Sequence, residues 1–149
     1  MYHVPVLRSE VVELLQPQPR DTIIDGTLGG GGHATELLKR IQPGGKLIGF
    51  DQDAAAIQHI QATLGQEYGS NQLIVIHDNF RHLRQYCTQA NAILLDLGVS
   101  SYQLSAGERG FSFRAVHELL DLRMDIRQAQ TGAELLNQLT EAHLAELFR

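Results

Sequence analysis

The sequence lacks the features that mark several classes of protein. It has one cysteine, Cys87, no tryptophan and four prolines among 149 residues. A single cysteine excludes an intrachain disulfide and fits a reducing compartment. We interpret Cys87, on a predicted helix, as a packing residue. No apolar run approaches the length of a membrane span, and no basic-then-apolar leader follows Met1. We therefore expect a cytoplasmic protein that does not contact the membrane.

The sequence also has fewer basic than acidic residues. Twelve lysines and arginines stand against 17 acidic residues, which gives a formal net charge of −5. Because nucleic-acid affinity depends largely on neutralising phosphates, this balance argues against a general nucleic-acid binder but allows a local basic face. The seven histidines are scattered without the spacing of metal ligands, so we expect no metal.

Glycine is abundant and concentrated at one point of the chain. Four consecutive glycines occupy residues 29–32, with Asp25 just before them and Asp51 at the end of the next apolar run. Backbone without side chains lets a ligand lie against main-chain N–H groups. An acidic residue at the tip of the following strand suits the two hydroxyls of a ribose. The pattern predicts a site for a nucleoside-containing cofactor.

The residues around this loop separate three kinds of glycine-rich turn. A Walker A loop ends in Gly-Lys-Ser/Thr, which is absent, and a dinucleotide fingerprint fits only from Gly29, with Ala34 at its last position. Asp25 would repel a pyrophosphate but attract the sulfonium or ammonium of S-adenosylmethionine. We favour S-adenosylmethionine over a nicotinamide dinucleotide. A tight turn without a ligand is the third alternative.

Strand and helix patterns alternate along most of the chain. The predicted strands are residues 22–24, 47–50, 73–76 and 92–97, the last of them apolar apart from Asp96 and expected to be covered on both faces. The predicted helices are residues 8–15, 33–41, 53–64 and 79–86, with two more opening after Thr131 and Thr140. This order predicts a doubly wound, mostly parallel α/β sheet of the Rossmann-like type. The residues expected at the carboxyl ends of its strands are Asp25, Asp51, Asp78 and Asp96.

Short motifs occur in a fixed order through nearly the whole chain. The most specific are Leu-Asp-Leu-Gly-Val-Ser-Ser at residues 95–101 and Arg-Gly-Phe-Ser-Phe at residues 109–113. The others lie at residues 3–7, 25–27, 31–33, 51–53, 79–80, 103–104 and 120–125. Together they closely resemble the MraW/RsmH family, bacterial enzymes that methylate N4 of a cytidine in 16S rRNA. The chain departs from the family pattern at Tyr102, at Ser105 and within residues 118–122.

The resemblance implies a class I S-adenosylmethionine-dependent methyltransferase fold and assigns site residues. It places the cofactor on Gly31, Gly32, His33, Asp51, Phe80, Asp96 and Gln103. Asp96 is the expected catalytic residue, accepting a hydrogen bond from the cytosine amine, and its alternative role is to hold the methionine part of the cofactor. From sequence alone, Phe80 could equally be a hydrophobic staple, and His33 a capping or packing residue.

Two further hypotheses concern the substrate side. Phe111 and Phe113 could stack on an extruded base while arginines hold phosphates. The arginines are Arg109, Arg114, Arg123 and Arg127. The alternative is a salt-bridged loop, because Glu108, Asp121 and Asp125 are interleaved with them.

Members of the family are much longer than this chain and insert a helical substrate domain. The resemblance therefore implies the cofactor-binding part of the enzyme at residues 1–149, with a motif-rich loop at 98–127 and the start of the substrate domain at 131–149. The expected partner is 16S rRNA in the small ribosomal subunit. The alternative is a truncated cofactor-binding module without activity, and we expect the chain alone not to methylate rRNA. We also expect self-association through exposed strand edges.

Overall fold

The computed structural model describes residues 7–106, 109–114 and 117–149. Most of the motif at residues 3–7 and the predicted ion-pairing residue Glu108 lie outside the described residues. The chain divides into two compact units, Met1–Gly98 and Val99–Arg149, and each is described by itself.

The first unit is built on a four-stranded parallel sheet. Its strands are β1 (Thr22–Asp25), β2 (Lys46–Asp51), β3 (Leu73–His77) and β4 (Ala92–Leu94), in the spatial order β3-β2-β1-β4. Every pair of neighbours is parallel, so each connection crosses over the sheet and carries helix. The predicted α/β fold with its parallel sheet is confirmed.

Helices supply the crossovers of this unit. Helix α1 (Arg8–Leu15) precedes β1, and the crossovers contain α2 (Gly32–Arg40), α3 (Ala54–Ala62), α4 (Leu64–Tyr68), a 3₁₀ turn at Phe80–His82 and α5 (Leu83–Tyr86). Asp53 caps α3, its Oδ1 accepting a hydrogen bond from Ala55 N at 3.0 Å. The helix predicted at residues 53–64 is interrupted at Thr63, whose φ of −110° and ψ of −89° are not helical.

The two faces of the sheet are covered to different extents. Ile23, Leu47 and Leu73 pack with apolar side chains of α2, α3 and α4 into one buried cluster. On the opposite face a smaller cluster contains Ile24, Ile48 and Phe50, and the partly buried residues against it are Ile76, Phe80, Leu83 and Cys87. Cys87 thus packs against the core, in agreement with its predicted packing role.

The fourth strand differs from its prediction. Instead of residues 92–97 it comprises only Ala92–Leu94, and in the described sheet it pairs with β1 alone. Ile93 is 47% exposed and Leu97 69% exposed, so the expected cover on both faces is absent from the described residues. A run of apolar residues indicates that a segment tends to be buried, but it does not identify the helix or strand that covers it. Asp96 accordingly lies two residues beyond the strand.

We expect the thinly covered face to drive self-association. Ile74 and Ile93 are register partners of buried strand residues on this face, yet they are 39% and 47% exposed. Ile93→Lys should shift the chain toward monomer in analytical ultracentrifugation, because a charged side chain opposes burial between copies. Leu14→Lys, on an 84% exposed position of α1, is the control. A wild-type chain that is monomeric at high concentration would contradict the expectation.

The second unit contains three helices among its described residues, α6 (Ser101–Ala106), α7 (Gly132–Gln138) and α8 (Glu141–Leu147). The capping box predicted at Thr131 is present, with Glu134 as its reciprocal partner, and Thr140 caps α8. Helix α6 was not predicted and lies in the stretch interpreted as a loop. Within the part of the chain that the structure describes, no helix is long and apolar enough to cross a membrane.

Candidate functional site

Acidic side chains converge on one edge of the sheet. Asp25 and Asp51 are the last residues of β1 and β2, Asp78 directly follows β3, and Asp96 lies two residues after β4. Because all four strands are parallel, their carboxyl ends meet at the same edge, which is where ligands bind in open α/β sheets. The sequence prediction for these four positions is confirmed.

The glycine-rich loop joins β1 to α2 at this edge. Gly29 and Gly31 have φ angles of 49° and 79°, in the left-handed region that favours glycine. A Cβ at Gly31 would lie 2.5 Å from Ile60 Cδ1, so the loop also approaches α3 too closely for a side chain. Gly31 is the N-cap of α2 and Gly32 its first residue, which places main-chain N–H groups at the edge of the sheet.

Asp51 anchors the loop to β2. Its Oδ2 accepts a hydrogen bond from Gly29 N at 2.7 Å, and its Oδ1 accepts one from Asp53 N at 2.8 Å. Burial raises the pKa of this carboxyl, and the two N–H donors oppose that effect. Each carboxylate oxygen can accept more than one hydrogen bond, so the side chain retains acceptor capacity.

Asp25 is the most deeply buried acidic residue described. Its side chain is in the core with 1% exposure, Oδ1 accepts from Thr27 N at 3.0 Å, and Oδ2 has no partner among the described residues. Burial raises the pKa of Asp25 to about 7, and the nearby carboxylates Asp51 and Asp96 add to the increase. A cationic ligand beside this carboxyl would stabilise its ionised form.

Asp96 is held by the segment that follows β1. Its backbone N–H donates to Thr27 Oγ1 at 2.8 Å, and its carboxylate Oδ2 lies 3.5 Å from Nε2 of His33. The Asp96 side chain is 55% exposed, whereas that of His33 is only 7% exposed. His33 Nδ1 has no partner among the described residues. His33 does not cap α2, since Gly31 is the N-cap, and its assignment to the cofactor stays a prediction.

The segment after β3 also lies at this edge of the sheet. Asp78 accepts hydrogen bonds from His82 Nδ1 and Tyr86 Oη, each at 3.0 Å, and the bond from His82 is the main reason that its pKa falls to about 2. Phe80 is half-buried against the smaller cluster, and a Cβ at Gly26 would lie 3.0 Å from Phe80 Cβ. Phe80 follows the N-cap Asn79, so it is not a staple, which would precede the cap; it packs against the core and borders the loop, and its assignment to the cofactor stays a prediction.

Sequence reasoning missed two residues of this edge. Thr27 links Asp25 to Asp96, as described above. Gln52 joins the ends of β2 and β3, because its Oε1 accepts from Asn79 Nδ2 at 2.8 Å and its carbonyl lies 3.0 Å from His77 Nε2. In the sequence, only its position between Asp51 and Asp53 could have indicated that Gln52 belongs to this edge.

Gln103 lies in the second unit and takes part in a helix cap. Its Oε1 accepts from Ser100 N at 2.9 Å, and its own N donates to Ser100 Oγ at 3.1 Å. This reciprocal pair is a capping box for α6, and the spacing Ser-x-x-Gln is its sequence signature. Its assignment to the cofactor stays a prediction.

Three of the four candidate phosphate-binding arginines are engaged within the second unit. Arg123 forms a bidentate pair with Asp121 at 2.7 and 2.8 Å, and Arg127 pairs with Asp125 at 2.8 Å. Arg109 donates to two backbone carbonyls and lies 5.5 Å from the ring centroid of Phe111. The pairs of Arg123 and Arg127 are the contacts that the salt-bridged alternative predicts. Phe113, by contrast, is fully exposed.

Comparison with known sequences identifies close relatives. The model of the MraW methylase family matches residues 1–149. Ribosomal RNA small subunit methyltransferase H of Heliobacterium modesticaldum is 38% identical over 156 residues, covering 99% of this chain and 48% of that protein. The protein of the same name from Leuconostoc mesenteroides subsp. mesenteroides is 44% identical over 141 residues, covering 91% and 45%. The chain thus spans about half the length of the curated relatives it matches.

Solved structures with this fold include an rRNA methylase from Streptococcus thermophilus, with a TM-score of 0.51 and 21% identity over 66% of this chain and 57% of that one. The C-terminal domain of precorrin-6Y C5,15-methyltransferase from Rhodobacter capsulatus gives a TM-score of 0.54 and 18% identity over 65% and 51%. At these identities the likeness concerns the fold alone. Because the family model matches from the first residue to the last, the chain belongs to the MraW methylase family.

Proposed function

We propose that this chain forms the S-adenosylmethionine-binding part of a cytoplasmic rRNA methyltransferase that modifies N4 of a cytidine in 16S rRNA. The observation that carries the proposal is the glycine loop set among the carboxyl groups of Asp25, Asp51 and Asp96 at the carboxyl edge of the sheet. Relatives named ribosomal RNA small subunit methyltransferase H support an RNA substrate in the small ribosomal subunit.

The residues of the edge fit the chemistry of this cofactor. The buried Oδ2 of Asp25, which has no hydrogen-bond partner among the described residues, suits a ligand with a cationic amino-acid end better than one with a pyrophosphate. Asp51 would accept from the ribose hydroxyls with its remaining lone pairs, and the backbone of Gly31 and Gly32 would meet the ligand directly. Phe80 would offer an aromatic face to the adenine. The assignment of Gln103 to the cofactor rests on the family resemblance alone.

Methyl transfer depends mainly on how the acceptor nitrogen is positioned relative to the methyl group. When bound, the cofactor supplies a methyl group on a sulfonium, and the acceptor nitrogen must be held in line with it at about 3 Å. The exocyclic amine of cytosine is a weak nucleophile because its lone pair is shared with the ring. Asp96, with its half-exposed carboxylate, would accept a hydrogen bond from that amine and return electron density to nitrogen. The base must leave its stack to reach the carboxylate.

A second candidate is a cofactor-binding module without transferase activity. It is favoured by the engagement of Arg109, Arg123 and Arg127 within their own unit, because phosphate contacts need available cations. Cofactor binding needs only the loop and the strand ends, so the two functions are separable by experiment.

The cofactor is tested by calorimetry. S-adenosylhomocysteine should bind to the chain and NAD should not, and Asp51→Ala should weaken binding by about 1–3 kcal/mol because ribose hydroxyls lose an acceptor. Asp51→Asn, which keeps one acceptor oxygen, should lose less. Asp21→Ala is the matched control, since Asp21 also accepts from a backbone N–H, that of Gln18, but precedes β1. Equal affinity for NAD and S-adenosylhomocysteine would reject the proposal.

The reaction is tested on unmodified small ribosomal subunits. The chain is incubated with them and a labelled methyl donor, and the nucleosides are separated by mass spectrometry. Stoichiometric label at N4 of a cytidine would support the proposed activity and reject the inactive module. Label at another atom would overturn the N4 assignment. Binding of S-adenosylhomocysteine without transfer is the result that we expect for this chain alone, because the proposal assigns it the cofactor-binding part of the enzyme.

A further inference from the structure

One hydrogen bond joins the segments that follow β1 and β4, and its acceptor is the side chain of Thr27. The last backbone bond between them runs from Gly26 N to Leu94 O at 2.9 Å. The chain then turns toward β2, because Leu28 N donates to Phe50 O at 3.0 Å. The next N–H on the β4 side, that of Asp96, donates to Thr27 Oγ1 at 2.8 Å. The hydroxyl of Thr27 thus takes the place of a strand carbonyl.

We infer that Thr27 is a positioning residue, which acts on the cofactor by fixing the backbone of Asp96. This inference rests on the proposed function, in which Asp96 contacts the methionine part of the cofactor or the amine of the base. Thr27 is itself fixed, since its backbone N–H donates to Asp25 Oδ1 at 3.0 Å. One residue of the loop therefore connects two acidic strand ends.

The tether matters because Asp96 is otherwise weakly restrained. It lies beyond the end of β4, its side chain is 55% exposed, and its carboxylate contact with His33 Nε2 is long, at 3.5 Å. A hydrogen bond to the backbone N–H sets the direction in which Cβ leaves the main chain, and the contact with His33 then limits the rotation of the carboxylate. Without the tether, the carboxylate would spread over several orientations, and fewer of them would meet a ligand.

The requirement is for an oxygen acceptor at this position. Valine has nearly the same shape as threonine but cannot accept the Asp96 N–H, whereas serine retains the hydroxyl. Thr63→Val is a matched control, because the Thr63 hydroxyl also bonds to backbone, donating to His59 O at 2.8 Å, but lies after α3.

Calorimetry with S-adenosylhomocysteine and sinefungin tests the inference on the chain itself. Thr27→Val should raise the Kd of both ligands about tenfold, which corresponds to the loss of one hydrogen bond. Thr27→Ser should stay within about threefold of wild type, and Thr63→Val should not change Kd. In an Asp96→Ala background, Thr27→Val should add less than about twofold, because its effect passes through the Asp96 side chain. The amide resonance of Asp96 should shift in Thr27→Val and return in Thr27→Ser.

Several outcomes would overturn the inference. Wild-type affinity in Thr27→Val would do so, and so would an undiminished loss in the Asp96→Ala background, which would mean that Thr27 acts on the loop alone. If Thr27→Val melts below the assay temperature, Thr27→Ala takes its place with the same expectations. A wild-type chain that binds neither ligand overturns the proposed function, and this failure is distinct because it precedes any variant.

Discussion

Asp25→Asn is expected to stabilise the folded chain at pH 8 and to leave its stability nearly unchanged at pH 4. Burial raises the pKa of Asp25 from 3.8 to about 7. In the unfolded chain the carboxyl ionises near pH 4, whereas in the fold it stays neutral until about pH 7. The fold is therefore penalised progressively between these values and fully above them. The shift corresponds to about 4 kcal/mol, which the amide would recover.

Urea denaturation of the two chains at several pH values measures this difference. The amide oxygen that Asp25→Asn introduces can still accept from Thr27 N, so the loop contact is kept. Asp78→Asn is a control of opposite sign: the hydrogen bond from His82 lowers the pKa of Asp78 to about 2, so its ionised form stabilises the fold above pH 4. A free-energy difference for Asp25→Asn that is constant from pH 4 to pH 8 would contradict the assignment.

The same substitution should weaken ligand binding. A cation would stabilise the ionised form of Asp25, whose Oδ2 has no partner in the part of the chain that the structure describes, and the amide of asparagine carries no charge. Sinefungin and S-adenosylhomocysteine, which carry the same α-ammonium group, should both lose affinity. Gain of stability with loss of binding is the pattern of a residue kept for function at a cost to the fold.

The sheet was predictable because its signals are local. Apolar runs, the glycines at residues 29–32 and an aspartate at the end of each run indicate strand, turn and strand end without reference to distant residues. The exposure of Ile93 was not predictable, since it depends on which elements cover the strand. The pKa of Asp25 depends in the same way on burial that only the fold establishes.

The candidate site shows the same limit at finer scale. The place of Asp51 could be predicted because it follows an apolar run. The hydrogen bond from Asp96 N to Thr27 Oγ1 joins residues far apart in sequence, and no local pattern predicts it. Gln103 shows the converse case. It belongs to a family motif, and its visible contacts form the capping box with Ser100 that its spacing alone would have predicted.

Gly31→Ala is expected to destabilise the chain by about 2–4 kcal/mol, and Gly29→Ala by about 1 kcal/mol. Both positions have positive φ, 79° and 49°, so both incur the backbone strain of a left-handed alanine. Only Gly31 adds a steric conflict: its Cβ would lie 2.5 Å from Ile60 Cδ1 and 3.0 Å from Leu64 Cδ1, both in the buried cluster. The nearest atom to a Cβ at Gly29 is 3.8 Å away.

The steric part of this loss can be isolated, because the conflicting atom can be removed. Ile60→Val deletes Cδ1, the atom nearest to the new methyl group. On its own this change should cost about 0.5–1.5 kcal/mol. Combined with Gly31→Ala it should cost less than the sum of the two single changes, since the valine makes room for the alanine. Thermal and urea unfolding of the four chains give the coupling. Strict additivity would show that backbone strain alone makes glycine necessary at this turn, and that the close approach of α3 to the loop does not.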